Sequence, residues 1–139
     1  MAIYLQNNVG VKINSVNISS LVSAVTLTQT FDENEITGMG QSAHIMAKGL
    51  ESSTLTIDFF NDWAAASVMQ TLNSAYGTTV PVSLIAVAPT VSATNPTFAF
   101  TILVNNLTPV GSGGVGDEAA SSLSFTVNSA VTQSYVTPF

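Results

Sequence analysis

The side chains able to do chemistry are few and scattered along the chain. His44 is the only histidine, so a metal site would have to combine it with carboxylates, and neither H-x-x-x-H nor D-x-D-x-D spacing is present. Cysteine is absent, which removes thiolate nucleophiles, thiolate metal sites and disulfides together. Serine is abundant, yet no G-x-S-x-G elbow occurs and only His44 could serve any serine as a base. Asp32, Glu33 and Glu35 form an acidic cluster that could suggest a carboxylate pair, but adjacent acids on a loop are more often solvated charge. Gly111, Gly113 and Gly116 satisfy G-x-G-x-x-G. That fingerprint holds a pyrophosphate only between a strand and a helix N-terminus, and the AASSLSFTV that follows has a strand pattern, so a flexible hairpin loop is expected instead. Asn17-Ile-Ser19 and Asn106-Leu-Thr108 match the glycosylation sequon, which matters only on secretion. No catalytic, cofactor-binding or metal site is expected, and an enzyme is disfavoured.

Bulk properties narrow the alternatives. At 139 residues the chain is expected to form one domain with a real core. The start, MAIYLQNNVGVKINS, lacks a basic region followed by a long apolar run, and every apolar run is broken well short of a membrane span of about 18 residues; production and use in a cytoplasm, without membrane contact, are expected. Only 7% of residues are charged, against 46% hydrophobic and a mean hydropathy of +0.42. Few charges leave strand edges and apolar patches unprotected. Either much of the surface is buried against copies of the chain, which is the simpler reading, or a neutral surface is dressed with Ser, Thr and Asn. With Lys+Arg 2, Asp+Glu 8 and a net charge of −6, the protein cannot grip nucleic acid, which requires basic side chains to neutralise phosphates.

The elements that would position these residues centre on residues 50–87, which read as strand, helix, strand. Leu55, Ile57 and Phe59 alternate with Thr54, Thr56 and Asp58, giving a strand with one apolar face. A helix over about 62–76 is predicted, started by Asn61 or Asp62 and stopped by Gly77. Its apolar stripe holds Ala65, Val68, Met69, Leu72, Ala75 and Tyr76, with Trp63, Met69, Leu72 and Tyr76 expected to pack it on the sheet. Strand density then returns in Val80, Val82, Ile85 and Val87. Upstream, residues 1–9 read as an uncommitted arm, Val11 to Leu21 as a first strand or short hairpin, and Val22 to Phe31 as a strand covered on both faces, or covered on one and in a subunit contact on the other. Asp32 to Lys48 shows no convincing period and reads as a long, partner-ordered loop with Ile36, Met39, Ile45 and Met46 exposed; a twisted hairpin packed on its own subunit is the alternative. Downstream, Val87 to Pro96 is turn-rich. Phe98, Phe100, Ile102 and Val104 then mark one strand, and Leu123, Phe125 and Val127 another. Six or seven strands and one helix make a mainly-β (α+β) antiparallel sandwich or barrel with a flanking helix.

In this order the segments VTLTQTFDE, a Gly/Met/Ile loop, GLESSTLTIDFFNDWAAASVMQTLNSAYGTT, NPTFAFTILVNNLTP and VGDEAASSLSFTV make the chain resemble a bacteriophage tail tube protein, the major tail protein of long-tailed phages. The resemblance covers nearly the whole chain, and no single motif is diagnostic. It implies a phage tail tube fold whose copies form hexameric rings, each lending strands to a continuous inner barrel. The rings would stack into a helical tube that houses the tape measure protein, meets terminator and tip proteins at its ends, and conducts double-stranded DNA during genome ejection. The location implied is the virion tail, assembled in the host cytoplasm. Contractile tails and a secretion-system tube share this fold; no sheath-binding feature is recognisable, which favours a flexible tail. Residues 31–48 would reach a neighbouring subunit or ring, as would the terminal arms. Phe31, Asp32, Glu33, Glu35, Ile36, Met39, His44, Ile45, Met46 and Lys48 thereby become candidate contacts, with no cofactor implied. The competing expectation is a β-sandwich binding module, an adhesin or capsid decoration protein, which would expose aromatic side chains.

Overall fold

The computed structural model describes residues 8–88, 90–111 and 114–139. Most of the expected arm and Gly113 of the glycine loop lie outside these residues. The chain is mainly antiparallel β with one α-helix among the described residues. The strands are β1 (Gly10–Ile13), β2 (Val16–Asn17), β3 (Val22–Thr28), β4 (Phe31–Glu35), β5 (Met46–Glu51), β6 (Thr54–Phe60), β7 (Thr79–Ile85), β8 (Thr97–Leu103), β9 (Ala120–Val127) and β10 (Thr132–Ser134); helix α1 is Val68–Ala75. The strand order β2-β1-β7-β8-β9-β6-β3, with β10 also on β8, leaves the sheet open, so the architecture is a sandwich and not a closed barrel.

β8 is the corner of that sandwich. Its whole length pairs with β7, from Thr79 opposite Leu103 to Ile85 opposite Thr97, while β9 meets it only at Ile102 and Leu103 and β10 takes its first half. One half is therefore β2-β1-β7-β8-β10 and the other β9-β6-β3. Both contribute to one core: Val11, Ile13, Val82, Phe100 and Ile102 from the first, Leu55, Ile57, Phe59, Leu123 and Phe125 from the second. The period-2 pattern of each strand puts these residues on the same side.

Helix α1 closes the core with Val68, Met69, Leu72 and Ala75, all buried. It starts later than the sequence suggests. Asp62 does not cap it: its carboxylate accepts the Ala64 N–H at 2.9 Å and the Ser67 hydroxyl at 3.0 Å, winding 62–67 into a turn of its own. Short polar side chains compete with helices in this way, and Ala66, at φ 61°, has a left-handed conformation that a right-handed helix cannot propagate. Trp63 is thereby kept outside the helix and is 47% exposed, and Tyr76, at the helix end, is 52% exposed. Neither packs the helix on the sheet, whereas Met69 and Leu72 do. Gly77 takes φ +81° and stops the helix as expected.

Candidate functional site

The stretch expected to be a loop is a two-stranded antiparallel ribbon. Among the described residues β4 and β5 pair only with each other, in a sheet separate from the sandwich. The ribbon continues the β3–β6 pair past a break at Thr30 and Ser52. There the Ser52 N–H donates to the Thr30 carbonyl at 2.8 Å, and the Thr30 hydroxyl donates to the Ser52 carbonyl. Residues 22–60 are thus one long hairpin whose lower half is welded into the sandwich and whose upper half stands clear of it. At the foot of the ribbon, Glu51 accepts from the Ser53 hydroxyl at 3.0 Å and the Val131 N–H at 3.2 Å, tying it to the segment after β9.

The ribbon is not packed on its own subunit. Every residue of β4 is exposed, and β5 alternates only between exposed and half-buried. That explains the missing period: alternation marks one wet and one dry face, and this ribbon has no dry face in the isolated chain. A two-stranded hairpin alone in water is marginal, so its internal contacts matter. Glu33 lies across from Lys48 and Glu35 across from Met46, while the Lys48 ammonium sits 4.0 Å from the centre of the Phe31 ring. Near the tip, the Ile36 N–H donates to the Ile45 carbonyl at 2.8 Å. Glu35 accepts from the Thr37 hydroxyl at 3.0 Å and also contacts His44 Nδ1, and the Ile45 N–H donates to the Thr37 hydroxyl oxygen at 2.8 Å. The His44–Glu35 pair is well exposed, so it pins the tip's shape and contributes little stability.

All ten residues anticipated in this stretch lie on the ribbon or its tip. Phe31, Asp32, Glu33 and Glu35 are on β4, Met46 and Lys48 on β5, and Ile36, Met39, His44 and Ile45 at the tip. Phe31, Ile36, Met39, Ile45 and Met46 are all exposed. The sequence reading missed Leu50, 81% exposed on β5; it sits so close to β6 that its apolarity reads as the start of that core strand, and no sequence signal separates the two. Exposed apolar residues also occur at Val110 and Val115 and, in the final segment, at Tyr135 and Val136. The histidine and the acidic cluster are together on the ribbon, where His44 contacts Glu35. Gly116 belongs to a turn that leads into β9, a strand and not a helix. A groove of about 300 Å³ beside β3, lined by Val9, Val25, Leu27, Leu84 and Phe98 among others, brings no titratable side chain to its wall. No protein-family model matches the sequence, and no curated protein matches it.

Proposed function

We propose that this chain is the repeating subunit of a phage tail tube: copies close into rings, hexameric by the resemblance, and the rings stack into a conduit for double-stranded DNA. One observation carries the reading. An acid-bearing β ribbon stands off the sandwich with Phe31, Ile36, Met39, Ile45, Met46 and Leu50 in water. A chain with so few charges gains most by covering such a ribbon with a neighbour, at roughly 1.5–3 kcal/mol for each large side chain buried. Head-to-tail contacts of this kind make rings where the rotation closes and filaments where it does not. The tape measure protein, the terminator and tip proteins, and a location in the virion tail belong to the same proposal.

Both lysines support it. The Lys12 ammonium donates to the Phe139 carbonyl at 2.9 Å and lies 4.6 Å from its ring centre, and Lys48 is held over Phe31. Neither is an unengaged cation ready to hold a phosphate. Negative-stain microscopy of the purified protein should show tubes or six-fold rings, and deleting Gly38 to Met46 should leave folded subunits that no longer polymerise. Unaltered polymerisation of the deletion would overturn the ribbon's role.

A second reading, the binding or decoration module, is favoured by the exposure of Trp63 and Tyr76, because exposed aromatics suit ligand contact. A species that remains monomeric or trimeric at high concentration would favour it over the tube.

A further inference from the structure

The two outer faces of the sandwich differ in kind. On the β2-β1-β7-β8-β10 half, Lys12 lies across from Ser83 and Ser83 across from Ala99, and Phe139, whose ring lies under the Lys12 ammonium, shares a surface cavity with Lys12, Pro81 and Ser83. That face carries a cation and an aromatic ring. On the β9-β6-β3 half, the residues that alternate with the core form three polar cross-strand rows: Ala24, Asp58 and Ser122; Thr26, Thr56 and Ser124; Thr28, Thr54 and Thr126. Seven of these nine are exposed, with Thr56 and Asp58 half-buried between them. Beyond the rows, at the end of β6, Phe60 lies across from Ala120 and is 40% exposed. The Thr56 and Ser124 hydroxyls meet at 3.3 Å. Within these rows there is no lysine, no aromatic ring and no aliphatic side chain larger than alanine. Asp58 supplies the one charge, and its Oδ1 is buried with no hydrogen-bond partner.

Such a face makes a poor protein contact. Interface cores are enriched in aromatic, Met and Arg side chains and depleted in Ser, Ala and Asp, and covering this sheet would strand hydroxyls and a carboxylate that already lacks one partner. It is well suited to stay wet beside a polyanion. Hydroxyls bind water without charge, and a wall with no cation offers phosphates no counterion release on contact. Resting on the tube reading above, we propose that the outer face of β3, β6 and β9 is the wall of the bore, with one Asp58 carboxylate per subunit repeated at a single height around each ring. The opposite outer face, with Lys12 and Phe139, is thereby turned away from the DNA path. Asp58 then acts as a repulsive collar toward phosphates, and the threonine and serine rows as its hydrated lining.

The absence of cysteine permits a clean test. Ser124→Cys places a thiol on the proposed wall, Thr54→Cys gives a second wall position, and Ala99→Cys marks the opposite outer face. Assembled tubes of each variant are treated with a small maleimide and, separately, with a maleimide on a polymer too large to enter a bore. In tubes, Ser124→Cys and Thr54→Cys should react with the small reagent and at least tenfold more slowly with the large one, a discrimination lost when the tubes are dissociated. Ala99→Cys should show no such size discrimination acquired on assembly. If tubes form and the wall thiols react with the large reagent as fast as in dissociated subunits, the face is outside and the assignment fails while the tube reading stands. If the wall thiols react with neither reagent in tubes, the face is a subunit contact and the assignment fails again. A protein that forms no tube at any concentration removes both.

Discussion

Two hairpins in this molecule have similar architecture and opposite fates. The β1–β2 hairpin turns through Asn14 and Ser15, both at positive φ, the two-residue geometry whose twist matches paired strands. It lies along β7 from Gly10 opposite Ile85 to Ile13 opposite Val82, and Val11, Ile13 and Ile18 are fully or almost fully buried. The β4–β5 ribbon has a longer tip, pairs with no third strand and buries no large apolar side chain. A hairpin becomes part of a fold when a third strand and a dry face receive it. The ribbon is an equally regular structure still lacking both, and the difference separates what the chain completes alone from what it leaves for another copy.

The sharpest way to break that comparison is to remove apolar volume from each hairpin. Ile13→Ala should cost about 2–5 kcal/mol of subunit stability, as should Leu72→Ala in the helix that closes the same core; chemical denaturation of the unassembled subunit measures both. An intermediate effect is expected at Gly10. A Cβ there would come within 2.7 Å of Ile85 Cγ2 and of the Phe139 ring, so Gly10→Val should cost roughly 1–3 kcal/mol and dislodge the final residues, seen as faster proteolysis after Tyr135. On the ribbon, Ile36→Ser and Leu50→Ser should change subunit stability by no more than about 0.5 kcal/mol. Each should nevertheless raise the concentration needed for assembly about tenfold or more, since 1.4 kcal/mol of lost contact is a factor of ten. Equal destabilisation at Ile13 and Ile36 would erase the distinction between the hairpins. An effect of opposite sign is expected from Ser15→Gly, which relieves a non-glycine residue at φ 67° and should stabilise the subunit by a few tenths of a kcal/mol, about 0.5 at most.

The sequence made the sandwich legible wherever burial was one-sided. Leu55, Ile57 and Phe59, then Leu123, Phe125 and Val127, alternate because water lies on one side of each strand and the core on the other. Of the two expectations for β3, cover on both faces or cover on one face with a subunit contact on the other, the first does not hold within one chain, since Ala24, Thr26 and Thr28 are exposed; small threonines and alanine read as tolerably apolar where they coat an outer face. Position 62 misled for a local reason: a carboxylate that can cap a helix can equally close a turn, and only the left-handed Ala66 shows which happened. The candidate ribbon was visible as composition and invisible as structure, because a β pair with two wet faces leaves no period to read. Its residues were found by their oddity, apolar side chains among acids and glycines, and Leu50 escaped because a core strand follows so closely.

The junction at Thr30 and Ser52 has a mechanical consequence. Five residues of β4 reach about 17 Å at 3.3–3.4 Å each, so a tilt of about ten degrees at that two-residue joint swings the far end by about 3 Å without breaking a rung in either half. Repeated from copy to copy, such a joint would let a stack of subunits curve by sharing small angular errors among many hinges, each sandwich staying rigid while the column bends.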